Sequence, residues 1–325
     1  MIITRTPFRV SFVGGGSDLR DFYSKNGYGA VVSTAITRYM YIVIHPYFHD
    51  KIRLKYSKTE NVENIDEVEH PIVRECLKKV NIEKGIEIAS FADVPAGTGL
   101  GSSSSFTVGL LNALYAYKGM VVSKERLARE ACEIEIDILG EPIGKQDQYA
   151  AAYGNINYIR FNRDETVEIS PILLRESAKK VLETNLCLYH VGGERRSSDI
   201  LHEQKSNIFI DEKFHNLKKT IMLADEMKEV LHSERIDAVG DILHRGWLYK
   251  KQLASGISNI DIDCLYDKAM KYGAIGGKLL GAGGTGFLLF YSNDHENLKK
   301  YLMCKILPFG IDREGTKIIF YSGDS

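Results

Sequence analysis

Two spacings of apolar residues divide this chain into strands and helices. Residues 2–9 and 31–45 are rich in β-branched and aromatic side chains, and residues 86–94 place apolar side chains partly at alternate positions, so all three are expected to join a sheet. Residues 103–117 and 123–139 are expected as helices. Ser123 can accept from the free amides of a first turn, and Gly140 is placed to end the second helix. Further on, residues 185–191 predict a strand. Residues 200–272 predict a long helical region with charged faces at Glu226, Lys228, Glu229 and Glu234, and residues 287–291 and 317–321 predict two more strands.

A chain of 325 residues exceeds one ordinary core, so two packed domains with a cleft between them are expected. No fixed-period repeat and no linker-like stretch marks the boundary, which is placed near residue 180, giving domains 1–180 and 181–325. With 44% hydrophobic and 26% charged residues and only 7 prolines, the chain has the composition of a folded protein.

The net charge of -1 removes the global positive field that nucleic acid or an acidic membrane surface requires, so any anion must be gripped locally. Cys76, Cys132, Cys187, Cys264 and Cys304 are scattered and form no CxxC pair, so they are read as reduced core thiols. The 9 histidines offer no HExxH spacing and are read as structural or exposed. Residues 1–7 hold a charge and a proline where a secretory leader needs apolar residues, and no run of eighteen apolar residues occurs. A cytoplasmic protein is expected.

The most informative stretch is Pro95-Ala96-Gly97-Thr98-Gly99-Leu100-Gly101-Ser102-Ser103-Ser104-Ser105, between an expected strand and an apolar helix. Glycines let the backbone approach a polyanion, the free amides of the following helix point at it, and the helix dipole favours negative charge. The serine hydroxyls can donate to phosphate or coordinate Mg²⁺. This is not a Walker loop, because no GxxxxGK[ST] occurs and Gly277-Lys278 is followed by Leu279; HRD and DFG triplets are also missing.

The loop resembles the second signature of the GHMP kinases, the galactokinase, homoserine kinase, mevalonate kinase and phosphomevalonate kinase family. The first signature is matched by Thr6-Pro7-Phe8-Arg9-Val10 running into Gly14-Gly15-Gly16-Ser17-Asp18, and the third by Lys278-Leu279-Leu280-Gly281-Ala282-Gly283-Gly284-Thr285-Gly286-Phe287, in the family's order. Within the family, Gly144-Lys145-Gln146-Asp147-Gln148-Tyr149-Ala150-Ala151 and residues 192–201, 247–248 and 250–259 resemble the bacterial heptose 7-phosphate kinases. The resemblance implies an α+β fold of two domains, an N-terminal one like a small-subunit ribosomal protein and a C-terminal ferredoxin-like one, with the active site between them.

It also implies ATP and Mg²⁺ as cofactors and a small-molecule sugar phosphate as partner. Oligomeric state is left open. The nucleotide is expected on Pro95, Gly97, Gly99, Leu100, Gly101, Ser102, Ser103 and Ser104, and Mg²⁺ on Glu135 with Ser103 or Ser104. Glu133 and Asp137 compete for the metal role on sequence grounds. Asp147 resembles the family's base, with capping of a helix over residues 149–152 as its alternative. Arg9 would stabilise the transferring group or make the nucleophile less basic, with a salt bridge at a strand end as its alternative.

Substrate is expected on Gly15, Gly16, Ser17, Asp18, Asp147, Arg195 and Gly283. Asp18 would accept from sugar hydroxyls or cap a helix over residues 19–25, and Arg195 with Arg196 would clamp a distal phosphate or form a solvated face. Residues 281–286 are expected to fold against the phosphate loop, with Thr285 standing where a glycine is common. Phosphorylation of the anomeric hydroxyl of heptose 7-phosphate to the 1,7-bisphosphate is the expected reaction. Another GHMP kinase acting on galactose, fucose or mevalonate, and a non-catalytic sugar- and nucleotide-sensing relative, are the alternatives.

Overall fold

A computed structural model describes residues 1–192 and 197–322. In chain order its first half holds β1 (Ile2–Val13), α1 (Arg20–Asn26), β2 (Tyr28–Pro46), β3 (Ile52–Lys55), β4 (Thr59–Val62), α2 (Pro71–Val80) and β5 (Ile86–Ala92). Then come α3 (Ser102–Tyr117), α4 (Lys124–Cys132), a π-helical turn (Glu133–Ile138), α5 (Gln146–Tyr153), β6 (Ile156–Asn162) and β7 (Val167–Ile172). The second half holds α6 (Glu176–Asn185), β8 (Leu186–Gly192), α7 (Ser197–Asn207), α8 (Asp211–His232), α9 (Val239–Lys251), α10 (Ile260–Lys271), β9 (Ala274–Leu279), β10 (Gly286–Ser292), α11 (His295–Leu302), β11 (Ile306–Pro308) and β12 (Lys317–Tyr321).

The first sheet has the order β12-β1-β2-β5-β3-β4, with β6 and β7 added alongside another part of the long β2. The second is a four-stranded sheet of order β11-β8-β10-β9. β12 returns from the second half to pair antiparallel with β1, setting Ile2 against Tyr321. β3 and β4 escaped the sequence reading because they are four residues each and partly polar; only Ile52, Leu54 and Glu60 are buried in them.

α3 lies behind the first sheet and is buried on nearly all sides from Ser104 to Ala116, as expected of a helix apolar all round. Ser123 caps α4 by accepting from the Arg126 amide at 3.2 Å. The helix then widens into the π turn, which ends before Gly140 at φ 70°. α8 and α9 pack on the first sheet, and α9 also lies on β9, so the two sheets share α9. Three cysteines are core thiols as expected, but Cys264 on α10 is exposed and Cys304 is half-buried. Among the described residues no helix is long and apolar enough to cross a membrane.

Candidate active site

The strand-loop-helix unit β5-α3 builds the floor of the site. Gly97, Gly99 and Gly101 take φ of 77°, 80° and 73°, a left-handed backbone that other residues reach only at a cost. Gly101 is the N-cap of α3 and has no side chain to satisfy the first amides, which leaves them facing outward at the positive end of the helix dipole. A Cβ on Gly101 would stand 3.1 Å from Arg9 Cγ and 3.2 Å from Asp147 Oδ2, so the bare backbone lets the loop reach both side chains.

Arg9 on β1 binds Asp147 as a fork. Its Nε donates to Asp147 Oδ1 and its Nη2 to Oδ2, each at 2.7 Å, while Nη1 donates to Gly99 O at 2.6 Å. The Arg9 backbone amide donates to Leu100 O at 3.0 Å, so this arginine ties β1, the phosphate loop and α5 together. Asp147 lies inside the first turn of α5, after the Lys145 cap, and its carboxylate is taken by Arg9 and not by helix amides.

Asp18 is buried. Its Oδ1 accepts from Gly16 N at 2.9 Å and its Oδ2 from Gln146 N at 3.3 Å. It therefore caps α5 from across the fold and leaves α1, which starts after Leu19 without a side-chain cap. Burial, and next the charge of Asp147, push the Asp18 carboxyl above its ordinary range, against the pull of the Gly16 and Gln146 amides. Gly144 makes room for it, because a Cβ there would fall 2.0 Å from Asp18 Oδ2.

The π turn settles which acid faces inward. Glu133 pairs with Lys79 and Asp137 with Arg20, both toward the outside, whereas Glu135 is buried. Ser103 donates to Glu135 Oε1 and Gln148 Nε2 to Oε2, each at 2.8 Å. Burial pushes the Glu135 carboxyl up to about 7 despite these donors. The Ser104 hydroxyl acts on the same carboxyl without completing a hydrogen bond of its own.

The third glycine loop closes on the first. A Cβ on Gly281 would fall 2.4 Å from Gly99 Cα, and one on Gly286 2.4 Å from Thr98 O, so the two backbones lie against each other. Thr285 is accommodated and lines the same cavity, as does Gly283. That cavity, of about 340 Å³, is lined by Arg9, Gly15, Gly16, Asp18, Gly97, Gly99, Gly101, Ser102, Ser103 and Asp147.

Ser17, Leu100, Ser104, Pro95 and Glu135 do not line this cavity. The Ser17 hydroxyl donates to Ala30 O and accepts from Ala30 N, both at 3.0 Å, so it staples the loop to β2 and does not face the cavity. The Leu100 side chain is core, the Ser104 hydroxyl is buried behind the loop, and the Pro95 carbonyl accepts from the Thr98 hydroxyl at 2.9 Å. Arg195 and Arg196 lie outside the described residues.

The sequence reading missed several side chains that line the cavity, among them Ser11, Gln146, Lys250 and Lys278. Among the described residues Ser11 Oγ and Gln146 Oε1 are buried without partners, both near Gly15. Lys250 Nζ donates to Leu279 O at 2.8 Å and Gly281 O at 2.5 Å, and Lys278 Nζ donates to Phe12 O at 2.9 Å. Both lysines stood inside recognised segments, yet only the fold shows that they point inward.

A family model described as GHMP kinases N terminal domain matches residues 68–155, and one described as GHMP kinases C terminal matches residues 227–307. The D-glycero-alpha-D-manno-heptose 7-phosphate kinase of Campylobacter jejuni is 28% identical over 97% of this chain and 98% of its own length. The galactokinase of Pyrococcus furiosus is 27% identical over 88% of this chain and 87% of its own. In fold, the chain is similar to a D-glycero-D-manno-heptose 1-phosphate kinase from Bacteriodes thetaiotaomicron, with a TM-score of 0.82 at 24% identity, covering 99% of this chain and all of that one.

Proposed function

This chain belongs to the GHMP kinases and has their two-domain fold, and on that premise we propose that it transfers the terminal phosphoryl group of ATP to C1 of D-glycero-D-manno-heptose 7-phosphate, giving the 1,7-bisphosphate. Its two matched domains and the sugar kinases among its relatives make it a sugar kinase of this family. One observation carries the finer reading: the phosphate loop, the Arg9–Asp147 pair and the unpartnered Ser11 and Gln146 face one cavity. A buried polar atom without a partner is costly, and a ligand rich in hydroxyls would supply one.

Phosphoryl transfer needs positioning and charge neutralisation more than covalent help from the protein. The amides at the start of α3 bind the nucleotide's phosphates. Asp147 takes the proton of the attacking hydroxyl, and Arg9 holds both oxygens of that carboxylate in place. Asp18, whose carboxyl is raised by burial and by the charge of Asp147, lines the cavity where a sugar hydroxyl would reach it.

Glu135, Ser103 and the incompletely bonded Ser104 hydroxyl form an oxygen-only donor set, which suits Mg²⁺. Among the described residues no group of three or more His, Cys, Asp or Glu could hold a metal, so phosphate oxygens and water would complete the shell. Mg²⁺ bound there would offset charge on the phosphates. The substrate's distal phosphate is assigned to Arg195, and the reaction to the cytoplasm.

The test is an acceptor screen with ATP and purified protein against heptose 7-phosphate, galactose, fucose and mevalonate. Heptose 7-phosphate is expected to give the highest kcat/KM. Rapid turnover of another acceptor with none of the heptose phosphate would overturn the substrate assignment, and turnover of no acceptor would favour a sensing protein.

A further inference from the structure

Arg9, Lys250 and Lys278 bring three cations to one side of the cavity, yet only Arg9 has a carboxylate. Among the described residues neither lysine makes an ion pair; their ammonium groups rest on the carbonyls of Leu279, Gly281 and Phe12. Lys278 is buried and Lys250 half-buried, in a place where charge is costly. Carbonyls alone are weak compensation for two buried ammonium groups, and an anion delivered into the cavity would be a stronger one.

The position narrows which anion. Lys250 holds the Gly281 carbonyl, and Gly281 lies against Gly99 of the phosphate loop. Lys278 holds β1 at Phe12, three residues from Arg9, whose fork grips the proton-accepting Asp147. On the kinase reading, both ammonium groups would thus stand between the nucleotide's phosphates and the acceptor. The distal phosphate of a sugar phosphate would lie at the other end of the acceptor.

We propose that Lys250 and Lys278 bind the equatorial oxygens of the phosphoryl group in transit, a role that rests on the kinase reading above. In that step the bond from the terminal phosphorus to the bridging oxygen breaks and its electron pair stays with ADP. A bond forms from the acceptor oxygen to the same phosphorus, and the acceptor's proton passes to Asp147. Negative charge on the three equatorial oxygens is then met by two amines held in position by backbone carbonyls, which lowers the barrier. Burial pushes Lys278 down to about 7, and an arriving anion would restore its proton.

Lys250→Gln and Lys278→Gln separate charge from clamping, because the amide can still donate to the carbonyls. The probe is ADP with and without aluminium fluoride, a mimic of the planar phosphoryl group, titrated by calorimetry in the presence of Mg²⁺ and without any sugar. Wild-type protein is expected to bind ADP more tightly when aluminium fluoride is present. Both Gln variants should lose that gain while binding ADP alone normally, and their turnover should fall by about 10²-fold or more.

Undiminished enhancement, or equal weakening of ADP alone, would overturn the proposal and leave the lysines as loop clamps. If the Gln variants do not fold, Lys250→Arg and Lys278→Arg decide: enhancement kept supports the role, and enhancement lost with ADP binding intact refutes it. Since no acceptor is used, a wrong sugar assignment would leave this result unaffected.

Discussion

Arg9 and Asp147 meet through two parallel hydrogen bonds of 2.7 Å, and the third nitrogen of the same guanidinium reaches Gly99 O at 2.6 Å. A planar fork with a fixed charge makes this three-way tie; a lysine could not. The Asp147 carboxylate is therefore registered on the glycine loop itself, and displacement of one moves the other.

Asp147→Asn keeps the shape and removes the basic site. Turnover is expected to fall by roughly 10²-fold or more with ATP affinity near normal, the scale for losing a general base. Steady-state kinetics beside a nucleotide titration would read both, and near-normal turnover would show that the carboxylate only orients the acceptor.

Gly281→Ala and Gly97→Ala make a matched pair. Both glycines have positive φ, 66° and 77°, but a Cβ on Gly281 would fall 2.4 Å from Gly99 Cα, whereas one on Gly97 meets nothing within 4 Å. Both variants should lose on the order of 1–3 kcal/mol from backbone strain. Only Gly281→Ala should also raise the KM for ATP sharply, because it pushes the two loops apart; equal effects on KM would mean the loops do not act as one.

Glu135 makes stability depend on pH in a defined window. Its carboxyl is pushed from 4.5 in the unfolded chain up to about 7 in the fold. Between those values the native state holds a proton that the unfolded state has released, so this group's contribution to stability is full below 4.5 and is lost as pH rises toward 7. Thermal unfolding without metal or nucleotide should show that decline in wild type and a flatter profile in Glu135→Gln. A profile unchanged by the substitution would remove Glu135 as its source.

The phosphate loop was legible because glycine spacing and the serines after it carry their own chemistry, and the helix behind it is apolar throughout. Glu135 was named but could not be separated from Glu133 and Asp137, since those three were read on an ordinary helix. The π turn changes the rotation per residue and turns one acid inward.

Ser17 looked like a ligand because its partner, the Ala30 peptide on β2, is invisible to local spacing. Lys250 and Lys278 were hidden for the same reason. They come from α9 and β9, and only packing α9 on both β9 and β1 brings them to one cavity.

The chain passes between the two sheets twice, once from β7 toward β8 and again from β11 to β12. Beyond these crossings, α9 packs on β1 of one sheet and on β9 of the other, so a shared helix as well as the chain joins them. Displacing the second sheet would therefore disturb β1, the strand that carries Arg9.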